Sequence, residues 1–350
     1  VARNLTRVAE IEFEKGQWDT AEDLLRRALE SQRQQLGDEH VDVATTLHQL
    51  AMVLAAAERT EDAEAHLGEA LALRRQLLGD DHRQVAETRN QLAELYYRQS
   101  RWQSAEALFR QVLEQRRAQL GETHPEVAES LNNLAVVLRA QGKTEPAIPL
   151  FRQVLELRQR LFGDEHPDIA VSLNNLGTSL QAMEQWQESA RSLRQALAMN
   201  EKLLGAEHPL VAVNRTNLAR SLAAVGQIED AEALFLQALD LSRRLFGDEH
   251  PDVTLILFRL ATLYAENDRQ QEALPLFDET LAIQRRILPE GDFRLSYPLL
   301  ELARLHCDRS DPGAAEAPLR EALAIRRQSF AEDHPHRIMA EDLQRSCTPK

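Results

Sequence analysis

The sequence predicts an all-α protein in which about eight helical hairpins stack into an α-solenoid. Composition is the first reason, because aromatic residues make up only 5% of the 350 residues, with 13 glycines and 13 prolines, too few for many short strands. A period of 42 residues is the second. It is marked by six glycines that each begin a variant of the segment GDEHPDVA: Gly37, Gly79, Gly121, Gly163, Gly205 and Gly247. A hairpin that cannot bury its apolar side alone must stack on its neighbours, so the period indicates a solenoid.

Apolar residues within each period follow the spacing of two amphipathic helices. The first helix of the fourth unit is predicted from residues at i, i+3, i+4 and i+7: Leu131, Leu134, Ala135 and Leu138. The second helix is predicted from a similar stripe: Ala147, Leu150, Phe151, Val154 and Leu161. Gly142 marks the turn between the two helices, and Gly163 suits a left-handed cap after the second.

Arginines crowd the end of the second helices. Four pairs stand there: Arg116 and Arg117, Arg158 and Arg160, Arg243 and Arg244, Arg285 and Arg286. The helix macrodipole favours positive charge at this end, and the acidic residues of the connection follow at once. We therefore interpret these arginines as dipole partners.

The repeat leaves no linker or shift in composition that would mark a domain boundary. We predict one domain over residues 1–345 and a tail at 346–350. The predicted units lie near 1–36, 37–78, 79–120, 121–162, 163–204, 205–246, 247–288 and 289–330, and a capping helix is expected at 334–345.

Charge and cysteine content exclude several classes of protein. The net charge of −15 argues against general binding to nucleic acid or to anionic membranes, because both need clustered cations. No apolar run is long enough to span a membrane. Cys307 and Cys347 form no CxxC pair, so we expect no disulfide, an incidental thiol at Cys307 and a cytoplasmic location.

The sequence offers no catalytic constellation, so we predict that the chain is not an enzyme and holds no metal or cofactor. A histidine recurs in the connections: His40, His82, His124, His166, His208, His250 and His334. Equivalent atoms of stacked helical units are roughly 10 Å apart, whereas a zinc–nitrogen bond is about 2.0 Å, so two copies cannot share an ion. We interpret these histidines as hydrogen-bonding residues that organise each connection.

The repeat resembles the tetratricopeptide repeat. The residues that carry the resemblance occur twice in full: Leu92, Ala93, Tyr96, Ala105 and Phe109, then Leu260, Ala261, Tyr264, Ala273 and Phe277. The longer unit, with LNNLA in its first helix and GDxHP in its connection, is similar to the kinesin light chain type, which is also common in bacterial signalling proteins. Pro289 and Asp292 depart from the pattern, so we expect local looseness near 288–296. The resemblance implies a right-handed superhelix whose first helices line a concave groove.

The same resemblance assigns candidate groove residues. They are Gln49, Asn90, Gln91, Asn132, Asn133, Arg139, Asn174, Asn175, Gln181, Asn217, Arg220 and Arg259. Asparagine is a poor helix former, so its repeated use is not explained by local energetics. We call the asparagines and glutamines of this set the carboxamide ladder. Carboxamides both donate and accept, which suits the backbone of an extended peptide, although part of the ladder could instead bond neighbouring helices. Arg139, Arg220, Arg259 and Arg304 indicate a ligand with acidic residues.

We therefore predict a non-catalytic protein-interaction scaffold that binds an extended peptide or protein segment in its groove. The alternative is the regulatory or sensor region of a larger bacterial signalling protein, a Ser/Thr kinase or an NTPase regulator, whose catalytic domain lies upstream. The sequence does not determine the oligomeric state.

Overall fold

A computed structural model describes residues 1–347, and within them the chain forms seventeen α-helices, one short 3₁₀ helix and no strand. The prediction of an all-α repeat fold is confirmed. The helices are α1 Ala2–Glu14, α2 Trp18–Leu36, α3 Val41–Ala56, α4 Thr60–Leu78, α5 Arg83–Arg98, α6 Trp102–Leu120, α7 Pro125–Ala140, α8 Thr144–Phe162, α9 Pro167–Ala182, α10 Trp186–Leu204, α11 Pro209–Ala224, α12 Ile228–Phe246, α13 Pro251–Glu266, α14 Gln270–Ile287, α15 Ser296–Asp308, α16 Pro312–Ser329 and α17 Pro335–Cys347. The 3₁₀ helix is Phe293–Leu295.

The chain divides into two compact units, Val1–Ser179 and Leu180–Lys350, so the single domain over 1–345 stays a prediction. Inside each unit, the two helices of a hairpin pack on each other, as α3 on α4 and α11 on α12, and the second helix packs on the hairpin that follows, as α2 on α3 and α10 on α11. First helices also touch each other, as α3 with α5 and α11 with α13. Leucine and alanine fill both cores, and alanines with no exposed surface, such as Ala21 and Ala231, allow the close approach of helices.

The histidine of each connection is the N-cap of the helix that follows. In seven connections its Nδ1 accepts a hydrogen bond from the backbone N–H two residues further on, at 3.0–3.2 Å. This satisfies one of the helix N–H groups that have no partner inside the helix. The interpretation of the histidines as organising residues is confirmed. In the seventh connection Asp292 takes the same role, with Oδ1 accepting from the Arg294 N–H at 2.9 Å.

The connection at 288–296 departs from the six before it in further ways. The second helix α14 ends one residue early, and its C-cap Leu288 is extended, whereas the C-cap of the six earlier second helices is a glycine with positive φ; Pro289 stands in the glycine column. The 3₁₀ helix Phe293–Leu295 then leads directly into α15. The connection is therefore irregular in its backbone but capped, and the looseness expected near 288–296 stays a prediction.

A buried column of polar residues joins consecutive hairpins. The interpretation of its arginines as partners of the helix macrodipole was incomplete. Arg74, Arg116 and Arg158 lie buried near the ends of α4, α6 and α8. The Nη1 group of each donates to a backbone carbonyl ten residues ahead, at 2.9–3.0 Å, and to a serine or threonine hydroxyl fourteen residues ahead, at 2.7–2.9 Å. We call this arrangement the arginine lock.

The arginines in the column beside the lock are half-buried or exposed, and their contacts agree with the macrodipole interpretation. Arg33, Arg75, Arg117 and Arg243 each form an ion pair with an acidic residue of the adjoining connection: Asp38, Asp80, Glu122 and Asp248. For Arg116 and Arg158 the interpretation was incomplete, because their guanidinium groups also reach across to the next hairpin. Burial lowers the pKa of Arg158, although an arginine stays charged in a protein.

The lock changes along the chain. Asn200 replaces the arginine in α10 and donates to the Asn214 side chain at 2.5 Å. Ser242 and Gln284 occupy the next two positions, and each retains a side-chain oxygen that has no hydrogen-bond partner in the described part of the chain. Their counterparts fourteen residues ahead are Ile256 and Pro298, which carry no hydroxyl. Arg326 restores the carbonyl contact of the lock, to His336 ten residues ahead, but its hydroxyl partner at 3.0 Å is Ser296 of the preceding first helix.

The C-terminal helix corrects two expectations. Cys307 of α15 and Cys347 of α17 form a disulfide, with their Cα atoms 5.5 Å apart. The expectation of no disulfide was wrong because the two residues are 40 positions apart and meet only when α17 packs against α15. The helix α17 also extends to Cys347, so Ser346 and Cys347 are helical where a tail was expected, and the rest of that tail lies outside the described residues. Since structural disulfides are rare in a reducing cytoplasm, the cysteines no longer support a cytoplasmic location.

We expect His124→Ala to lower the free energy of unfolding by about 1 kcal/mol, because α7 loses its N-cap acceptor. His124→Asn retains an acceptor at the cap and should remain within about 0.5 kcal/mol of the wild type. Urea unfolding followed by circular dichroism measures both changes. Equal losses in the two variants would contradict the capping role.

Arg158→Ala should lower the free energy of unfolding by about 2–4 kcal/mol, since it leaves a cavity and removes the donor that serves the Asp168 carbonyl and the Ser172 hydroxyl. Arg160→Ala is the matched control, because Arg160 is exposed and pairs only with Glu156 one turn away. Its loss should not exceed about 0.5 kcal/mol. Similar denaturation midpoints for the two variants would refute the arginine lock.

Replacement of either cysteine should destabilise the C-terminal end by about 2–4 kcal/mol, the usual contribution of a disulfide. Because Cys307→Ser and Cys347→Ser break the same bond, the double variant should lose no more than either single variant. Thermal unfolding of the three variants under oxidising conditions provides the measurement. Additive losses would show that the bond does not form in solution.

Candidate interaction surface

The predicted groove residues of the first unit are joined across neighbouring first helices. The Asn133 Nδ2 group of α7 donates to the Asn90 Oδ1 atom of α5 at 3.3 Å. In the same way Asn175 of α9 donates to Asn132 of α7 at 3.2 Å. Each bond spans 43 residues, so it connects corresponding levels of consecutive hairpins. The ladder therefore does bond neighbouring helices, the second of the two roles that the sequence left open.

These bonds leave part of the ladder unused. Asn132, Asn133 and Asn175 are half-buried rather than fully enclosed. Among residues 1–347, the Asn132 Nδ2 group and the Oδ1 atoms of Asn133 and Asn175 have no hydrogen-bond partner. The surface thus presents a free donor and two free acceptors on side chains whose orientation is set by bonds to their neighbours.

Other residues of the predicted set take part in local bonding. Asn90 is 3% exposed and donates to the Glu94 Oε1 atom at 2.7 Å, so its amide is largely occupied. Burial raises the pKa of Glu94, a residue on this surface that the sequence analysis did not single out. Gln49 donates to Glu10 at 2.6 Å, and Gln91 lines a small pocket of about 170 Å³ together with Glu94.

The Arg139 side chain of α7 is positioned by α9, the first helix of the next hairpin. Its Nη1 group donates to the Thr178 hydroxyl at 2.8 Å, and its guanidinium lies 5.6 Å from the centre of the Phe151 ring. Burial lowers the pKa of Arg139. The side chain therefore supports the position of α9 as well as contributing charge. Asn174, which precedes Asn175 in α9, is half-buried.

In the second unit the predicted residues group around Gln181. That side chain is 3% exposed and donates to the Asn217 carbonyl and the Ser221 hydroxyl, both at 2.7 Å. Its Oε1 atom accepts a hydrogen bond from Arg220 at 3.3 Å. Arg220 is itself exposed and lies 5.7 Å from the centre of the Trp186 ring. Gln181 thus orients Arg220 instead of being available to a partner.

Three of the four predicted arginines, Arg139, Arg220 and Arg259, form no ion pair with a carboxylate among the described residues. Arg220 and the half-buried Arg259 form no ion pair among the described residues. Burial lowers the pKa of Arg259, the nearby charge of Arg220 lowers it further, and Glu266 opposes both effects. Arg304 differs, because it pairs with Glu301 at 2.6 Å and with Asp308 at 3.5 Å. The arginines of this surface that are not paired with a carboxylate are therefore Arg139, Arg220 and Arg259.

The described residues contain no group of three or more His, Cys, Asp or Glu side chains that could hold a metal ion. Over the same residues, no helix is both long and apolar enough to cross a membrane.

Comparison with protein families identifies the repeat. A tetratricopeptide repeat model matches residues 1–76, 42–118, 84–160, 126–202, 168–239 and 210–286. A second tetratricopeptide repeat model matches residues 299–336. No curated protein matches the chain.

Solved structures agree with the family assignment. A putative kinesin light chain from Podosopora anserina with nearly identical TPR-like repeats is 30% identical, over 60% of this chain and 99% of that one, with a TM-score of 0.52. BtubC (BKLC) from P. vanneervenii is 24% identical over 67% of this chain and 94% of that one, with a TM-score of 0.56. The apo quorum sensor NprR from B. thuringiensis is 13% identical over 93% and 87% of the two chains, with a TM-score of 0.72.

The last two structures share the fold alone, whereas the family models cover most of the sequence. With its 42-residue register, its capping histidines and these matches, the chain belongs to the tetratricopeptide repeat family, with repeats like those of kinesin light chains.

Proposed function

We propose that the chain is a non-catalytic scaffold that binds an extended segment of a partner protein along the carboxamide ladder. Its membership of the tetratricopeptide repeat family supports a role in protein interaction. The observation that carries the finer proposal is the set of unused polar atoms on Asn132, Asn133 and Asn175. Each of these side chains is already ordered by a bond to a neighbouring first helix, so a ligand would not have to order it.

The spacing of the ladder suits an extended backbone. Packed helices are usually about 8–10 Å apart. A peptide in the extended polyproline II conformation has three residues per turn and rises about 3.1 Å per residue, so equivalent backbone groups recur about every 9 Å. Carboxamides can both donate to a carbonyl and accept from an N–H. A peptide could therefore be held through its backbone with little dependence on its sequence.

The positive charge at Arg220 and Arg259 supports acidic residues in that ligand. The molecule has a net charge of −15, and most of the arginines on the second helices are paired with carboxylates. An unpaired guanidinium on such a molecule is a favourable site for an Asp or Glu side chain of a partner, since a charge-assisted hydrogen bond is stronger than a neutral one.

The proposal is tested by selecting peptides from a displayed library of random 12-residue sequences against the full chain. The affinity of a selected synthetic peptide is then measured by isothermal titration calorimetry. Asn133→Ala, Asn175→Ala and Arg220→Ala should each weaken binding by about tenfold, the effect of losing one or two hydrogen bonds to the ligand.

Arg194→Ala is the matched control, because Arg194 is exposed on α10 and has no ion pair among the described residues. Its affinity should equal that of the wild type. If none of the three ladder variants weakens binding while circular dichroism shows intact folding, the assignment of this surface is refuted.

A further inference from the structure

The Cys307–Cys347 disulfide stands at a junction where another repeat has a hydrogen bond. Cys307 occupies the repeat column of Gln181, and Cys347 occupies the column of Ser221. Gln181 donates to the Ser221 hydroxyl at 2.7 Å across the same separation of 40 residues. Ser221 has no exposed surface, whereas both cysteines are half-buried. The disulfide therefore replaces an interior contact between first helices, but at a position that solvent reaches.

The helix α17 is weakly held apart from this bond. Ala340 is the only buried residue among Pro335–Cys347, the described extent of the helix. Leu343 is partly buried against the core, and the carbonyl of His336 accepts a hydrogen bond from Arg326. Burial of one alanine and part of one leucine removes little apolar area from water. The disulfide therefore contributes a large share of what keeps α17 in place.

A pocket of about 500 Å³ lies between α16 and α17 and reaches the disulfide. Its apolar lining includes Leu319 and Leu323 of α16, and of the two cysteines it is Cys347 that lines it. Pockets that hold small molecules usually measure about 300–1,000 Å³. A small molecule bound in this pocket would therefore lie against Cys347.

Two arginines make this pocket suitable for carboxylate groups. Arg320 pairs with Glu316, which also lines the pocket, at 3.6 Å, and Arg327 pairs with Glu341 at 3.4 Å. Both ion pairs are long, and the arginine side chains are 76% and 51% exposed, so each pair contributes little to stability. Arginine binds a carboxylate best through two parallel hydrogen bonds. Both guanidinium groups therefore retain donors for the carboxylates of a ligand.

We propose that a small thiol with carboxylate groups binds in this pocket, opens the disulfide at Cys347 and thereby frees α17. The thiolate of the ligand attacks the Cys347 sulfur, the bond to Cys307 breaks, and Cys307 leaves as a thiolate that takes up a proton. The products are a mixed disulfide on Cys347 and a free Cys307 thiol.

The reaction is reversible and needs no further reagent. Attack of the Cys307 thiolate on the Cys347 sulfur restores the original bond and releases the ligand. Attack of a second ligand molecule on the bound one instead releases the disulfide of the ligand and leaves Cys347 reduced, so that the two thiols supply the two electrons. The site requires neither the carboxamide ladder nor a bound peptide, so this inference is independent of the proposed function.

The test treats the oxidised full chain with glutathione and, separately, with glutathione diethyl ester, in which both carboxylates are blocked. After an alkylating quench, peptide mapping by mass spectrometry locates the adduct and gives its rate of formation, corrected for the thiolate fraction of each reagent. The net charge of −15 repels glutathione and attracts the ester, so without a binding site the ester should react faster.

Glutathione should instead react at least about threefold faster than the ester, because the arginines bind its carboxylates, and the first adduct should lie on Cys347. A faster reaction of the ester, the absence of an adduct, or an adduct mainly on Cys307 would overturn the proposal.

Variants of the two arginines identify the binding site. Arg320→Gln and Arg327→Gln should each lower the ratio of the glutathione rate to the ester rate by about threefold, since each removes a partner of a carboxylate. The ratio cancels any change in the stability of α17, which affects both reagents alike. Arg309→Gln is the matched control, because Arg309 is exposed two residues from Cys307 and lies outside the pocket lining. An unchanged ratio in both pocket variants, or an equal decrease in the control, would refute the pocket as the binding site.

Hydrogen exchange measures the release of α17. The backbone amides of Pro335–Cys347 should exchange at least about tenfold faster in the glutathione adduct than in the oxidised chain, because the constraint of the disulfide is lost. Cys307→Ser, in which the bond cannot form, should match the adduct. Equal exchange in the adduct and the oxidised chain would contradict the release of α17.

Discussion

The structure depends on the polar contact that closes the interface between one hairpin and the next. A tetratricopeptide hairpin has an apolar face that only its neighbour can cover, so the chain is stable to the extent that successive hairpins remain in contact. The carbonyls at the start of each first helix face the end of the preceding second helix. Arg74, Arg116 and Arg158 reach these carbonyls with a buried guanidinium, and the adjacent Thr or Ser hydroxyl completes the contact. The buried charge is tolerated because its donors are directed to fixed acceptors.

Two other features reinforce the same interface. The connection histidine fixes the start of the next helix by accepting its second backbone N–H. At the C-terminal end, where no further hairpin follows among the described residues, Arg326 bonds to the carbonyl of His336, and the Cys307–Cys347 disulfide joins α17 to α15. The final helix is thus held covalently as well as by the lock, which suits an element that packs against the array from one side only.

The candidate site follows from the same arrangement. Where the hairpins are regular, first helices approach closely enough for asparagines to bond across them, and the remaining amide groups face outward in a repeated pattern. At the seventh hairpin, where Gln284 stands in place of the lock arginine, the hairpins enclose a pocket. Regular repeats therefore present carboxamide groups that are not fully used, and one irregular junction encloses a cavity lined by Arg259 and Gln284.

The sequence alone determined the class of fold, the family and the role of the connection histidines, because the 42-residue period repeats the same local signals in every unit and each helix begins and ends at them. It also located the columns of the ladder, since columns follow directly from the register. The burial and the partners of individual side chains, in contrast, were determined only by the tertiary structure. Arg116 and Arg117 are neighbours in sequence with the same charge, yet one is buried in the next hairpin and the other pairs with Glu122 in the connection.

The disulfide and the pocket also depend on how helices pack, and neither could be predicted from the sequence. Cys307 and Cys347 carry no local pattern, and their distance is set by how α17 rests on α15. The pocket beside Arg259 arises from side chains that are missing at a junction between hairpins, which no window of the sequence displays. A period in sequence reports what neighbouring units share, whereas the contacts across a junction depend on pairs of residues that only the folded chain brings together.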